Sequence, residues 1–389
     1  MSIRIESFSN QSKEDLQRLK KFVDLHWDYY RTDPRYVPLL DYEYLGSKLL
    51  GITGFFEADN LFFRRAAAQF FIAYRDNKPV GRCVAFINRA HEKHWQDGAG
   101  FFGHFECIED PEVAAALLGK AESWLRFHGK RTIRGPLNLP VNEATPGFLV
   151  EGFESRPIVY YHFNPPFYAS MLSGLGYQPK MDYLSYEVSF PDNPIEKALG
   201  RISRQIIERS KITFETWGDR KIDVRKQEMF SIYNDAWGTN FGFVPFTRRQ
   251  LDKIIDDMKL IMNKKLFLFA YVDGKVAAFF GAVPNIFESL ALKENKRTSE
   301  LLRAAKVLTG GSRTKGFRIG YLGVKKAYRN IGLDAVLIWK QNQLVLKTHY
   351  QYCDMGWVLS ENKPMIKMIE RCGGRLSKRY RIFEKPIQP

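Results

Sequence analysis

The chain has 389 residues, 45% hydrophobic and 14% aromatic, which is enough apolar material for two folded domains with separate cores. Lys and Arg outnumber Asp and Glu by 59 to 43, so the formal net charge is +16 at pH 7. This charge favours an anionic partner, but without a dense Lys/Arg block or an RNA-binding aromatic motif, nucleic acid is the least favoured one.

The apolar runs, the N-terminal segment and the cysteines indicate the cellular compartment. No apolar run approaches the length of a membrane-spanning helix, and Met1 to Asn10 lacks the apolar centre of a signal peptide. The four cysteines have neither metal-ligand nor redox spacing. We expect a cytoplasmic protein with reduced cysteines, whose peripheral contact with the inner membrane face is an open option.

The first half of the chain alternates between helical and strand patterns. Ser12, followed by Glu14 and Asp15, predicts the start of a helix that runs to about Arg31. Asp110 predicts the cap of a second helix. Apolar runs predict strands at Phe70–Tyr74, Val80–Asn88, Phe101–Ile108 and Thr132–Leu139.

His91 and His94 fall in the segment predicted as a loop before the third of these strands. Their His-x-x-His spacing alone is poor evidence for zinc, and no third ligand can be assigned from the sequence. We therefore predict hydrogen-bonding or surface histidines and no metal site.

The second half repeats the same kind of pattern. Helices are predicted at Asn193–Arg209, Glu228–Trp237 and Arg248–Met262. Strands are predicted at Leu266–Val272, Val276–Asn285, Ile319–Val324, Tyr352–Leu359 and Tyr380–Lys385. The helix ending at Arg209 is basic and amphipathic, which fits packing between domains or contact with an anionic membrane. The apolar loop from Trp237 to Phe246 fits either the binding of an apolar acceptor or acyl chain, or a loop that covers the core.

The two halves are related by an internal repeat. Phe71-Ile72-Ala73-Tyr74 parallels Leu268-Phe269-Ala270-Tyr271 at an interval of 197 residues, and Gly176 parallels Gly374 at 198. Matches so far apart that hold nearly one interval indicate two copies of one α/β unit. We predict an N-terminal domain at residues 1–190 and a C-terminal domain at 191–389.

A phosphate-binding turn is predicted in the second copy only. The strand ending at Val324 leads through a basic turn to Gly332 and a helix, whose N-terminal amides and dipole favour an anion. The corresponding turn of the first copy, Glu106 to Pro111, is acidic and has no glycine, so a phosphate would be repelled there.

This turn resembles the acyl-CoA pyrophosphate loop of the GNAT acyltransferase superfamily, Arg/Gln-x-x-Gly-x-Gly/Ala after a strand. Arg329 and Gly332 match its first two positions, whereas Asp334 departs from the third by placing a carboxylate beside the expected phosphate. The strand–helix–strand–helix–strand order that follows is similar to the second half of a GNAT domain. The resemblance implies an α/β (α+β) fold of two tandem GNAT-like domains. Each has a mixed, mostly antiparallel twisted sheet flanked by helices, and the N-terminal copy is degenerate.

Further runs narrow the resemblance to bacterial long-chain N-acyltransferases, a group that includes bacterial ceramide synthases. These runs are Gly-Phe-Phe-Gly-His-Phe-Glu from Gly100, Asn-Pro-Pro-Phe-Tyr from Asn164 and Tyr-Arg-Ile-Phe-Glu-Lys from Tyr380. The implied activity is transfer of an acyl group from acyl-CoA or an acyl carrier protein thioester to an amine, including a lipid amine. Two alternatives remain open: a Fem-type aminoacyl-tRNA-dependent transferase and a non-catalytic binding protein.

The resemblance also implies roles for individual residues. The backbone N–H of Val324 would stabilise the oxyanion, and Asn362 would contact the carrier beside its capping role. The main-chain amides that would hold the pyrophosphate belong to Arg329, Asn330, Ile331, Gly332, Leu333 and Asp334.

The acid that protonates the leaving thiolate in many members is a tyrosine seven residues after the helix-opening asparagine. The corresponding residues here are Ile369 and, in the first copy, Met171. The candidates to replace it as acid or base are Tyr321, Asp354, Glu361 and Tyr380.

Overall fold

The two halves of the chain share a basic order of elements: a strand, two helices, a hairpin, a strand, a helix, a strand, a helix and a final strand. Each half inserts or adds further elements to this order. The computed structural model describes residues 2–139, 146–259, 261–291 and 297–388. The first half contains β1 (Arg4–Phe8), α1 (Lys13–Tyr30), α2 (Asp41–Leu45), β2 (Ala66–Arg75), β3 (Lys78–Asn88), α3 (Arg89–Trp95), β4 (Ala99–Cys107), α4 (Pro111–Phe127), β5 (Thr132–Gly135), β6 (Phe148–Glu151), α5 (Phe167–Gly174) and β7 (Gln178–Ser189). The second half contains α6 (Ile195–Arg209), β8 (Ile212–Thr216), α7 (Ile222–Ala236), α8 (Arg248–Met258), β9 (Phe267–Val272), β10 (Lys275–Pro284), α9 (Phe287–Leu290), α10 (Glu300–Gly310), β11 (Gly316–Val324), α11 (Leu333–Val345), β12 (Tyr352–Leu359), α12 (Lys363–Arg371) and β13 (Arg375–Pro386).

Two compact units are formed by these elements. The first unit comprises Met1–Tyr183, Leu290–Ala304 and Lys378–Pro389, and the second comprises Leu184–Ser289 and Ala305–Ser377. The last strand of the chain thus contributes mainly to the first unit. The domain division predicted at residue 190 stays a prediction.

The first unit is built on the strand order β1-β2-β3-β4-β5-β13. The pairing of β4 with β5 is parallel, and the other pairs along this order are antiparallel. Helix α4 begins at the side-chain cap of Asp110, which accepts from the amides of Glu112 and Val113. Its apolar face (Val113, Ala114, Leu117, Leu118, Ala121 and Leu125) is buried in the core of the unit.

The second unit has the strand order β8-β9-β10-β11-β12-β7. Here β11 and β12 are parallel, and β8 to β11 pair antiparallel. The β9–β10 turn has positive φ at Asp273 and Gly274, which fits the Asp-Gly signal for a tight hairpin. Within each unit the strand pairing is mixed and mostly antiparallel, as predicted, although all the strands belong to one 13-stranded sheet.

Two sequence-based predictions in the first half were wrong. Strand β5 ends at Gly135 instead of Leu139, because Pro136 has no N–H to continue the pairing and the amide of His104 on β4 bonds the side chain of Asn138 instead of a backbone carbonyl. His91 and His94 lie on helix α3, which Asn88 caps, and not on a loop. Nε2 of the buried His91 lies 3.1 Å from Oδ1 of Asp97.

Candidate active site

The predicted phosphate-binding turn follows β11 directly. A 3₁₀ turn spans Lys326–Ile331, Gly332 adopts φ +83°, and α11 starts at Leu333. A left-handed φ disfavours residues with a Cβ, and a Cβ on Gly332 would also lie 2.9 Å from Cδ1 of Ile206. Gly332 therefore lets the chain turn into α11, whose first amides have no hydrogen-bond partner within the helix.

Two carboxylates contact backbone amides here, one in the turn and one in the first turn of α11. Oδ2 of Asp235, on α7, accepts a hydrogen bond from the amide of Lys326 at 2.5 Å. Oδ1 of Asp334 accepts from the amide of Ala335 at 2.9 Å. One amide of the turn thus already bonds a negatively charged oxygen of another element, and the start of α11 has a carboxylate beside it, as is favourable at a helix N-terminus.

Arg329 is exposed, but its guanidinium is oriented by the protein. Its Nη2 donates to the carbonyl of Ala236, the last residue of α7. A cation is favourable there, because the last carbonyls of a helix lack partners within the helix. Arg329 therefore links the turn to α7, while Asn330 beside it is exposed.

The strands β11 and β12 pair over only part of their length. Their parallel register runs from Gly316↔Tyr352 to Ile319↔Met355, whereas the strands continue to Val324 and Leu359. The register of β11 with β10 shifts at this same point, between Gly281 and Ala282. The two parallel strands therefore separate beyond Ile319, at the end that leads into the predicted phosphate-binding turn.

The amide of Val324 belongs to this separated edge of β11. The neighbouring amide of Lys325 donates to the carbonyl of Ala277, on the β10 side, at 2.9 Å. Because successive amides of a strand point to opposite edges, the N–H of Val324 is directed to the β12 side.

The equivalent strands of the first unit also stop pairing early, at Phe101↔Arg134, but the chain itself fills the gap. The amide of Leu137 donates to the carbonyl of Phe102 at 2.8 Å, and Oδ1 of Asn138 accepts from the amide of His104 at 2.6 Å. Gly103 permits this approach, because a Cβ there would lie 2.0 Å from the carbonyl oxygen of Leu137. In the first unit, the backbone of Leu137 and the side chain of Asn138 thus occupy the gap between the two strands.

The candidate acids and bases lie in different surroundings. Tyr321 stacks on Phe279 with ring centroids 6.0 Å apart. Asp354 is 5% exposed and accepts a hydrogen bond from the hydroxyl of Ser185. These contacts fix both side chains within the second unit.

The remaining candidates are Glu361, Asn362 and Tyr380. Glu361 is exposed, and Oδ1 of Asn362 accepts from the amide of Met365 at 3.3 Å as the cap of α12. Tyr380 belongs to the first unit, is fully buried and donates to the carbonyl of His162 at 3.1 Å. Tyr321, Asp354 and Glu361 therefore belong to the same unit as the turn, whereas Tyr380 belongs to the other unit.

The apolar loop after α7 is packed against the helix. Tyr233 lies 4.7 Å from the ring of Phe246 and 5.7 Å from that of Phe243. The side chain of Asn234 both donates to and accepts from the backbone of Phe246. Phe243 and Phe246 are buried, so these two rings cover the core of the second unit.

Sequence reasoning missed the contributions of Asp235 and Ser185. Asp235 lies 91 residues before the amide that it contacts, and Ser185 lies 169 residues before Asp354. No local motif marks either residue, and only the fold brings them to the site.

Within the described residues, His, Cys, Asp and Glu side chains form no group of three or more that could hold a metal ion. No helix in the same part of the chain is both long and apolar enough to span a bilayer.

Comparison with known sequences identified two similar proteins of comparable length. Protein YghO of Escherichia coli K12 is 30% identical over 380 residues, covering 95% of this chain and 93% of that protein. A Caulobacter vibrioides protein named bacterial ceramide synthase is 30% identical over 337 residues, covering 84% of this chain and 86% of that protein. No protein-family profile matches the chain.

Solved structures share the fold. A tandem GNAT protein from the clavulanic acid biosynthesis pathway aligns with the whole chain and 99% of its own length, at a TM-score of 0.55 and 12% identity. A GCN5-related N-acetyltransferase from Sphaerobacter thermophilus aligns with 99% of this chain and 96% of its own, at a TM-score of 0.51 and 13% identity. The predicted α/β fold of two tandem GNAT-like domains is confirmed.

Proposed function

The chain belongs to the tandem-domain GNAT superfamily of acyltransferases, in the group that includes the Caulobacter ceramide synthase, and we propose that it transfers an acyl group from a thioester to an amine. The donor is acyl-CoA or an acyl carrier protein, and the acceptor is a lipid amine. The observation that carries the proposal is the separation of β11 from β12 beyond Ile319, directly before an anion-attracting turn. The ceramide synthase name of the relative supports a long acyl chain and a lipid acceptor.

The donor's phosphate groups bind at the turn between Lys326 and Leu333. Main-chain amides and the N-terminus of α11 provide the attraction, as in other phosphate sites at helix N-termini. Arg329 and Asn330 are exposed beside these amides and add a charge and a polar group. The pantetheine arm extends from there between β11 and β12, where strand edges offer main-chain partners.

The reaction is a direct attack of a neutral amine on the thioester carbonyl. A new N–C bond forms and the carbonyl oxygen gains negative charge. The C–S bond then breaks, and the proton lost from the attacking nitrogen passes to the departing sulfur, so that the products are an amide and a free thiol. The N–H of Val324, held in a paired strand, donates to that oxygen as the charge develops. A fixed donor needs no reorganisation during the reaction, which is why a strand amide suits this role.

Thermal-shift measurements with CoA, a short acyl-CoA and a long acyl-CoA test donor binding. Saturable binding raises the melting temperature, and the thioester with the largest shift indicates the chain length.

The double variant Lys326→Glu/Asn330→Asp places two carboxylates at exposed positions of the turn and should lower affinity at least tenfold. Lys275→Glu, at the exposed first residue of β10, changes charge in the same unit and should leave affinity unchanged. No shift with any of the three ligands, or equal loss in both variants, would refute the proposed donor site.

A non-catalytic thioester-binding protein is the second candidate. It is favoured by Asp235 and Asp334, which bond an amide of the turn and an amide of the first turn of α11, and by buried Ile369 at the position of the usual acid. Mass spectrometry of the products with long-chain primary amines separates the two candidates, because only the enzyme yields an N-acyl amide. A tRNA-binding assay at several salt concentrations tests the Fem-type alternative, which predicts a steep salt dependence.

A further inference from the structure

Helix α10 exposes an apolar face that the proposed donor site does not use. Leu301, Leu302 and Leu308 are 56%, 50% and 55% exposed, and Ala305 is exposed between them. At 3.6 residues per turn, these four side chains fall within one arc of roughly 120° that contains no charged residue. Leucines grouped in this way cost free energy in water, so the face indicates a partner that covers it.

The opposite side of α10 is held by the first unit, to which the helix belongs up to Ala304. Arg303 is 2% exposed, and its Nη2 donates to the carbonyl of Leu39 at 3.1 Å. Oε2 of Glu300 accepts a hydrogen bond from the amide of Asp41 at 2.7 Å. These contacts fix the rotation of the helix about its axis, so its exposed leucines stay directed towards solvent.

A second pair of leucines is exposed in the same unit, on the tight turn that follows α2. Leu49 is 82% exposed and Leu50 is 38% exposed. The amides of Ser47 and Ile52 each donate to the other residue's carbonyl, at 2.9 and 3.0 Å, and Gly51 adopts φ +65° to close the turn. The two leucines therefore lie at the tip of a turn whose shape is fixed by its own backbone.

The two pairs of leucines flank α2. Asp41, whose amide bonds α10, is the first residue of α2, and the turn that carries the other pair begins two residues after α2 ends. A helix of five residues is about 7.5 Å long, so both pairs are attached to one short element. We call these four residues of the first unit the leucine surface: Leu49, Leu50, Leu301 and Leu302.

Two exposed lysines border the leucine surface. Lys48 precedes Leu49, and the turn from Gly46 to Gly54 contains no acidic residue. Lys306 lies four residues after Leu302 on α10, which makes the two side chains neighbours on the surface of the helix. Both lysines are exposed. Their ammonium groups therefore attract anions to the edge of the apolar area.

The acidic side chains beside the start of α10 are held by arginines. Nη2 of Arg297 lies 2.9 Å from Oδ1 of Asp24 and also pairs with Asp41. Oε1 of Glu300 pairs with Nη1 of Arg303 at 2.5 Å. Their negative charges are therefore compensated, and the exposed lysines make this surface positive. An apolar face bordered by cations is typical of segments that lie on anionic bilayers.

Helix α6, for which the sequence left membrane contact open, is less suited to this role. Its side chains Ile195, Leu199 and Ile206 are buried, and Ile202 is 47% exposed. One half-exposed isoleucine offers less apolar area than the four residues of the leucine surface. The apolar face of α6 therefore serves packing within the protein.

We propose that the leucine surface docks the protein on a bilayer that contains anionic phospholipids. The leucines enter the boundary between headgroups and acyl chains, which removes them from water, and the bordering lysines face the phosphate groups. Docking goes beyond the proposed acyl transfer, because it needs neither a thioester nor an amine. It brings the protein to the layer in which lipid amines reside.

Co-sedimentation of the full-length protein with phosphatidylglycerol vesicles measures docking. Leu301→Gln/Leu302→Gln should lower the partition coefficient at least tenfold, and adding Leu49→Gln should lower it further, because less apolar area leaves water. Gln is nearly as good a helix former as Leu, so α10 should persist. Leu16→Gln/Leu346→Gln, at positions 50% and 42% exposed, is the matched control and should bind as the parent does.

The charge requirement is tested in the same assay. Lys48→Glu/Lys306→Glu should weaken binding to phosphatidylglycerol about tenfold and make it less sensitive to salt. Vesicles of phosphatidylcholine, which carry no net charge, should bind the parent more weakly than phosphatidylglycerol vesicles do. Lys120→Glu/Lys275→Glu makes the same change of net charge at two exposed positions on α4 and β10, and should cost less than twofold.

The proposal is overturned if the parent does not bind phosphatidylglycerol vesicles, or if Leu301→Gln/Leu302→Gln binds them no more weakly than its control. It is also overturned if light scattering shows a dimer that this variant converts into a monomer while vesicles bind neither, since the surface would then join two copies of the chain. The affinity of the variant for acyl-CoA should equal that of the parent. If the parent binds vesicles but no acyl-CoA, the donor site fails and membrane docking stands.

Discussion

The carboxylate of Asp235 accepts a hydrogen bond from the backbone amide of Lys326, the first residue of the turn that follows β11. The contact links the last turn of α7 to the amides that we assign to the donor's phosphates. It places a negative charge where a second negative charge has to bind. Asp235 therefore both orders the turn and opposes the ligand.

Asp235→Asn should strengthen the binding of CoA about fivefold, because unit charges about 4 Å apart interact by roughly 1 kcal/mol in water. The amide oxygen of Asn still accepts from Lys326, so the turn keeps its shape. Titration calorimetry with CoA at low and high salt measures the effect, which should shrink as salt increases. Asp257→Asn on α8 is the control. Weaker binding by Asp235→Asn would show that its charge is needed for order.

Gly323→Ala should destabilise the protein by roughly 1–3 kcal/mol, the usual range for overpacking a filled site. A Cβ at this position would lie 2.4 Å from Cη2 of Trp237. Gly320 is on the same strand, and a Cβ there would contact nothing within 4 Å, so Gly320→Ala is the matched control. Urea unfolding gives both free energies, and equal values for the two variants would contradict the packing.

Glu106→Gln should change how stability depends on pH. The pKa of Glu106 is raised from 4.5 to about 7, so the folded state holds more protons than the unfolded state between these values. The contribution of Glu106 to the free energy of unfolding therefore falls by roughly 3 kcal/mol as pH rises from about 4.5 to 7. The lowered pKa of His162 acts in the opposite direction up to about pH 6.5, so the whole curve mixes both effects.

The difference between the parent and Glu106→Gln isolates the carboxyl group. Urea unfolding at pH 5, 6, 7 and 8 should show the advantage of the parent declining steadily and levelling off above pH 7. Glu370→Gln, the same substitution at an exposed position of α12, is the control and should leave the parent's pH dependence unchanged. A difference that is constant over this range would mean that Glu106 is ionised throughout.

Ser185→Ala should destabilise the protein by about 1–3 kcal/mol, because it removes a hydrogen-bond donor from the buried carboxylate of Asp354. Asp354→Asn should relieve part of this loss in the double variant, since a neutral amide costs less to bury than a charge. A double-mutant cycle by urea unfolding measures the coupling, and strictly additive effects would contradict a direct contact.

Local sequence patterns determined the elements of the fold and the position of the turn. Alternation and capping residues are effects of neighbouring residues, so they located helix α1, the hairpins and strand β12 within a few residues. The repeat and the Arg-x-x-Gly pattern then indicated two GNAT-like copies and the copy that carries the turn. The residues after Gly135 are apolar, so the sequence predicted that β5 continues to Leu139. In the structure the strand ends at Gly135, although the amide of Leu137 still hydrogen-bonds with β4.

Only the tertiary structure decided which side chains meet. Asp235 reaches Lys326 across 91 residues, and Glu106 reaches Tyr168 and His162 across 62 and 56. Such contacts depend on how strands and helices pack, and packing leaves no local trace in a single sequence. The same reason explains why the sequence could place an anion-attracting turn but could not reveal a buried acid, since burial is a property of the assembled fold.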